Sequence, residues 1–159
     1  MDFSYKSTAL ASEKDLDGLS DKLKPYLSYL KKVAVSKSYD APESSINLPV
    51  DQEHIKAAVE FTKAKAGKKL KYLFLVGIGG SNLGAKAVYD MLYGYFDVLE
   101  PSRFPKIIFA DTTDPEFLTR LEQLITRDLG DSDDFLINII SKSGGTTETI
   151  VNARLIIEA

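Results

Sequence analysis

Tyr72-Leu73-Phe74-Leu75-Val76-Gly77-Ile78-Gly79-Gly80-Ser81-Asn82-Leu83-Gly84 is the stretch on which the fold turns. Five apolar residues in unbroken succession suit a strand covered on both faces. The glycines that follow let the chain reverse sharply and bring backbone N–H groups close to a ligand. From Asn82 to Tyr93 the pattern is helical, so the stretch reads as strand, turn and helix start. A helix beginning there aims its free N–H groups and positive dipole end at the turn, the usual way a fold offers an anion a seat.

The same plan recurs downstream. Lys106-Ile107-Ile108-Phe109-Ala110 reads as a second buried strand, followed by a helix over 115–127 with Asp114 as its cap. Phe135-Leu136-Ile137-Asn138-Ile139-Ile140 reads as a third strand, followed by a helix over 146–158. Strands alternating with helices of this length predict right-handed βαβ units and a parallel sheet. The expected class is α/β: a three-layer α-β-α arrangement with a flavodoxin-like parallel sheet. It ends after the third strand and its helix. A chain finishing on Ile156-Ile157-Glu158-Ala159, without cap or glycine, is expected to be cut from something longer, with an apolar sheet edge left open.

Upstream, Leu16, Leu19, Leu23, Leu27, Leu30 and Ala34 recur at steps of three and four, predicting a helix with one buried face. Pro25 predicts a kink in it, or two abutting helices. Residues 36–49 read as a loop. Asp51 is the expected cap of a helix through Ala66, with Glu53 in the first turn and Gly67 as its stop. The division that follows is a helical segment and loop over 1–50 and a partial core domain over 51–159.

The turn after the third strand, Ser141-Lys142-Ser143-Gly144-Gly145-Thr146-Thr147-Glu148-Thr149, holds five hydroxyl residues and one lysine in nine positions. Hydroxyls and backbone N–H groups together can bond several phosphate oxygens, with Lys142 supplying charge. Ser141 or Ser143 acting as a plain helix cap is the alternative, and Glu148 suits that alternative unless it points away. In the flavodoxin-like order the first and third strands are neighbours at the switch point, so their two turns share one ridge. The turn at 111–115 is acidic and is expected to border that ridge or face elsewhere.

Other motifs fit less well. A phosphate loop of the Walker type needs lysine after its second glycine, and here Lys86 stands one place late. A dinucleotide fingerprint from Gly77 needs glycine or alanine where Asn82 stands, although Asp111, at the end of the second strand, is placed to mimic the ribose-binding acid. With 20 basic and 23 acidic residues the net charge is -3, which argues against a nucleic-acid partner. The lysine run at 63, 65, 68, 69 and 71 reads as a solvated helix end. The absence of cysteine excludes thiol chemistry and fits a reducing compartment. Met1-Asp2-Phe3-Ser4 lacks the plan of a signal peptide, and no apolar run nears the roughly 18 residues that span a bilayer. A cytoplasmic protein without a membrane partner is expected.

The two glycine turns, in this order and with Asp111-Thr112-Thr113-Asp114-Pro115 between them, resemble the sugar isomerase (SIS) domain of the glucose-6-phosphate isomerases. The resemblance covers most of residues 47–159. It implies a substrate phosphate held by Ser141, Lys142, Ser143 and Thr146, with Thr149 in support and Gly80 and Ser81 beside the sugar. Gly145 stands where the family usually has threonine. The family interconverts glucose 6-phosphate and fructose 6-phosphate through a cis-enediol. A glutamate moves the proton, histidine and lysine assist ring opening, and an arginine stabilises the intermediate. No such group can be assigned in this chain, and its sole histidine, His54, reads as a solvent-facing helix residue. The resemblance further implies no cofactor or metal, a homodimer for the full-length protein, and little activity for this chain by itself. A sugar-phosphate-binding module without chemistry is the alternative.

Overall fold

The computed structural model describes residues 8, 10–67 and 69–159; Lys68 and the opening residues read for a signal peptide lie outside these. The chain divides into two units, Met1–Glu60 and Phe61–Ala159.

In the first unit a single helix, α1 (Glu13–Ser36), is started by a capping box in which Ser12 and Asp15 bond each other's backbone N–H. It runs unbroken past Pro25. The leucine stripe is helical as expected but is not buried. Leu19, Leu23 and Leu27 are 54%, 52% and 51% exposed, and Val33 is the buried residue of the helix. The physical reason is the size of its partner within the unit. Residues 36–49, expected to be a loop, mostly form a 3-10 helix, Pro42–Val50, which packs on α1. The buried Asn47 ties the two together, its Nδ2 donating to the carbonyls of Val33 and Ser38. Nine residues cannot cover a 24-residue helix.

α2 (Gln52–Lys65) starts as predicted, with Asp51 Oδ1 accepting from the N–H groups of Glu53 and His54 at 3.0 Å each. It ends just ahead of Gly67.

In the second unit three parallel strands, β1 (Tyr72–Val76), β2 (Lys106–Ala110) and β3 (Phe135–Ile139), lie in the order β2-β1-β3. The register pairs Phe74 with Ile108 and with Ile137. Three more helices follow the strands in turn: α3 (Leu83–Tyr93), α4 (Pro115–Gln123, continued by a π turn over Leu124–Asp128) and α5 (Thr147–Glu158). Strand order explains their placement. The first crossover runs to one side of β1 and the second to the other, so crossovers of one hand must use opposite faces. One face carries the core, where Phe74, Val76 and Ala110 pack against Leu121, Ile125, Leu129, Ala153 and Ile156 from the α4 and α5 segments. On the other, Tyr89 of α3 meets Phe109 edge-on at 6.0 Å between ring centres.

Asp114 caps α4 as predicted, accepting from the N–H groups of Glu116 and Phe117. The lysine run is partly spoken for: Lys69 pairs with Asp131 and Lys71 with Asp134. β3 is an edge strand whose Ile139 is 46% exposed, and Ile150, Leu155 and Ile157 of α5 are exposed as well. No helix of the described residues is long and apolar enough to cross a membrane.

Candidate anion-binding site

Both glycine turns leave the carboxyl ends of hydrogen-bonded strands. β1 and β3 stay paired beyond their last strand residues, Ile140 N–H donating to Val76 O at 2.9 Å. A side chain on Gly77 would start 3.0 Å from the Ile140 carbonyl oxygen and 3.0 Å from Ser81 Cβ. Close approach therefore favours glycine here, and the contact brings the first turn against the start of the second.

The first turn winds into a short 3-10 helix, Gly79–Ser81, with Ser81 N–H bonded to Ile78 O and Asn82 N–H to Gly79 O. Gly80 is exposed and Ser81 half-buried. Asn82 takes the cap position of α3, yet its side chain makes no capping bond. It is 1% exposed, and both its Oδ1 and its Nδ2 are buried without a hydrogen-bond partner. An orphaned buried amide is uncommon in a folded chain.

The second turn is organised by its own hydroxyls. Ser141 Oγ accepts from Gly144 N–H at 3.0 Å and lies 3.4 Å from Thr146 Oγ1; Ser143 Oγ accepts from Gly145 N–H at 3.2 Å. Neither serine caps α5. Thr146 holds the cap position and makes no side-chain capping bond either. The cap alternative is thus not what these side chains do: they shape the loop ahead of a helix whose first N–H groups they leave free. Gly144 adopts φ 69°, a left-handed conformation that favours glycine. Gly145 does not, and a side chain there would meet only Ser143 Oγ, at 3.8 Å. There is room for a Cβ at this position.

The remaining candidates sort by exposure. Lys142 and Ser143 are exposed, Ser141 and Thr146 half-buried, and Thr149, in the first turn of α5, is 2% exposed. Glu148 is exposed. Asp111 is engaged by Lys86 of α3 at 3.4 Å, which occupies both the would-be ribose acid and the displaced Walker lysine. His54 is exposed on α2, its Nδ1 2.9 Å from Asp51 Oδ2 and its ring 5.3 Å from that of Tyr39. Pattern reading passed over Asn82 and Asn152, both fully buried. The signal for Asn152 was present: it falls three residues after Thr149 and four before Ile156, a polar residue on the buried stripe of α5.

The phosphoglucose isomerase family model matches residues 50–159, more than half of the chain. The chain belongs to the phosphoglucose isomerase family. It is 41% identical over 116 residues to a glucose-6-phosphate isomerase of Lactobacillus delbrueckii subsp. bulgaricus, an overlap of 70% of this chain and 24% of that protein. It is 32% identical over 157 residues to that of Carboxydothermus hydrogenoformans, covering 97% of this chain and 32% of the relative. A Staphylococcus aureus glucose-6-phosphate isomerase is 37% identical over 118 residues, 69% of this chain and 24% of its own. In structure the chain resembles a hypothetical protein from Thermus thermophilus, with a TM-score of 0.59 and 25% identity over 87% of this chain and 30% of that one. This phosphoglucose isomerase family chain spans about a quarter to a third of the length of the curated relatives it matches.

Proposed function

We propose that the chain supplies the phosphate-gripping part of the site of a glucose-6-phosphate isomerase, within a SIS domain that starts near residue 51. Ser141, Lys142, Ser143 and Thr146 surround the substrate phosphate, Thr149 supports them from below, and Gly80 and Ser81 lie beside the sugar. The substrates are glucose 6-phosphate and fructose 6-phosphate. The conversion passes through a cis-enediol, with the proton carried between C1 and C2 by a glutamate that this chain does not supply. What supports this is one juxtaposition: adjacent parallel strands deliver two donor-rich turns to a common ridge, close enough that a Cβ on Gly77 would lie 3.0 Å from both Ile140 O and Ser81 Cβ.

Such a division of labour is chemically sensible. Phosphate sits at the unreactive end of the sugar, and binding energy collected there holds the distant carbons in place for proton transfer. A general base needs hydrogen-bond reach to the reacting proton. Glu148 opens the helix that follows the phosphate turn and belongs to the wrong end of the substrate. The 159-residue chain is therefore expected to bind without turning over.

Titration calorimetry of this chain with fructose 6-phosphate and with NAD tests the assignment. Heat with the sugar phosphate and none with NAD is the expected result; the reverse would replace the proposal with a nucleotide site. Conversion of fructose 6-phosphate above background by this chain alone would show that the base is here after all.

A further inference from the structure

We infer that Asn152 is a positioning residue for the phosphate turn, acting through the acidic segment 111–115 as a brace between the helices that follow the two glycine turns. This rests on the phosphate role proposed for residues 141–146. Asn152 lies on α5, whose first residues follow that turn directly. Its side chain is 0% exposed. Nδ2 donates to two carbonyls at once, Thr112 O at 2.8 Å and Ala110 O at 3.4 Å, the end of β2 and the start of the acidic segment. Between those two residues stands Asp111, whose carboxylate pairs with Lys86 of α3, the helix that follows the first glycine turn. The contacts form a continuous path from one turn's helix to the other: α5, Asn152, the carbonyls at 110 and 112, Asp111, Lys86, α3.

The segment read in the sequence as acidic, and as facing elsewhere or bordering the ridge, thus contacts both helices that follow the glycine turns. A carboxamide suits the junction. Its single nitrogen carries two N–H donors for two carbonyl oxygens, which leucine or aspartate of similar size lacks. Its Oδ1 is buried with no partner, so the group is oriented from its donor end alone. A ligand-holding loop needs such support, since small displacements of its donors weaken every bond they make.

The test is calorimetry of the 159-residue chain with fructose 6-phosphate and with inorganic phosphate, for wild type and Asn152→Leu. Temperatures are chosen at which circular dichroism finds both folded. Asn152→Leu is expected to weaken both ligands about tenfold, the scale on which supporting partners of ligand-holding residues act. The effect should shrink when Ser141 and Thr146 are already alanine, because the brace then holds fewer donors in place. Affinities equal to wild type in folded Asn152→Leu would overturn the inference and leave the phosphate assignment standing. A wild-type chain that binds neither ligand would overturn both. Should Asn152→Leu fail to fold, Asp111→Asn breaks the same path at a more exposed link: about twofold weaker binding is expected, and unchanged binding would defeat the brace.

Discussion

The two glycine turns share a plan and differ in what constrains them. In the first the pressure is on the backbone: Gly77 is hemmed in by Ile140 O and Ser81 Cβ, and few side chains offer donors. In the second the backbone has room and the side chains do the organising, Ser141 and Ser143 each accepting from an N–H of the loop. Glycine content alone therefore says little about a ligand turn. One turn uses glycine to let two segments touch, and the other uses it to let hydroxyls fold back on the chain.

The contrast can be broken or sharpened by substitution. The largest effect is expected from Ser141→Ala combined with Thr146→Ala, which removes two donors to a charged group, each worth about 1.5–3 kcal/mol. Fructose 6-phosphate affinity should fall at least a hundredfold by calorimetry while circular dichroism stays native; unaltered affinity would detach this turn from phosphate. Gly77→Ala comes next. Crowding a backbone carbonyl that the sheet holds in place should cost about 1–3 kcal/mol of stability in urea unfolding. Gly144→Ala places a side chain at φ 69° and should cost about 1–2 kcal/mol, with the loss appearing in ligand affinity as well as in stability.

A control sits outside both turns. The Asp51 carboxyl is held down to about 2, first by the backbone N–H of His54 and then by the Tyr39 hydroxyl. A depressed carboxyl stabilises the fold above its unfolded value, near 3.9, and that contribution is lost as pH falls toward about 2. Acid titration followed by circular dichroism should show helix lost in that window, and Asp51→Asn should lessen that loss without abolishing it, because the Asp15 carboxyl in the cap of α1 is depressed as well, chiefly by its bonds with Ser12. The smallest effect is expected from Gly145→Thr, which introduces the residue usual in the family where a Cβ meets nothing closer than 3.8 Å. Stability should change by no more than about 0.5 kcal/mol; a larger loss would mean the second turn is as tightly constrained as the first.

The strands, their parallel order and the cap at Asp114 were legible in the sequence because each depends on a local pattern: an apolar run, an alternation, an acid before a helix. The adjacency of the two turns followed from topology alone. What escaped was decided by partners remote in sequence. The leucine stripe of α1 announced a face without announcing what would cover it. Residues 42–50 carry no periodicity, and they coil because the side chain of Asn47 finds carbonyls on α1 and at Ser38. Ser141 and Ser143 carried two meanings at the level of composition. Only the bonds to Gly144 and Gly145 separate a loop-shaping hydroxyl from a helix cap.

The strand order also sets a sequence of assembly. Tyr72 pairs with Lys106, 34 positions later (106 − 72), and with Phe135, 63 positions later (135 − 72). The central strand is thus the first synthesised and waits for both neighbours. Closing the longer span costs little more entropy than the shorter one, but it comes last as the chain leaves the ribosome. The ridge where the turns meet exists only once β3 has docked on β1, so capture of an anion there would report that pairing.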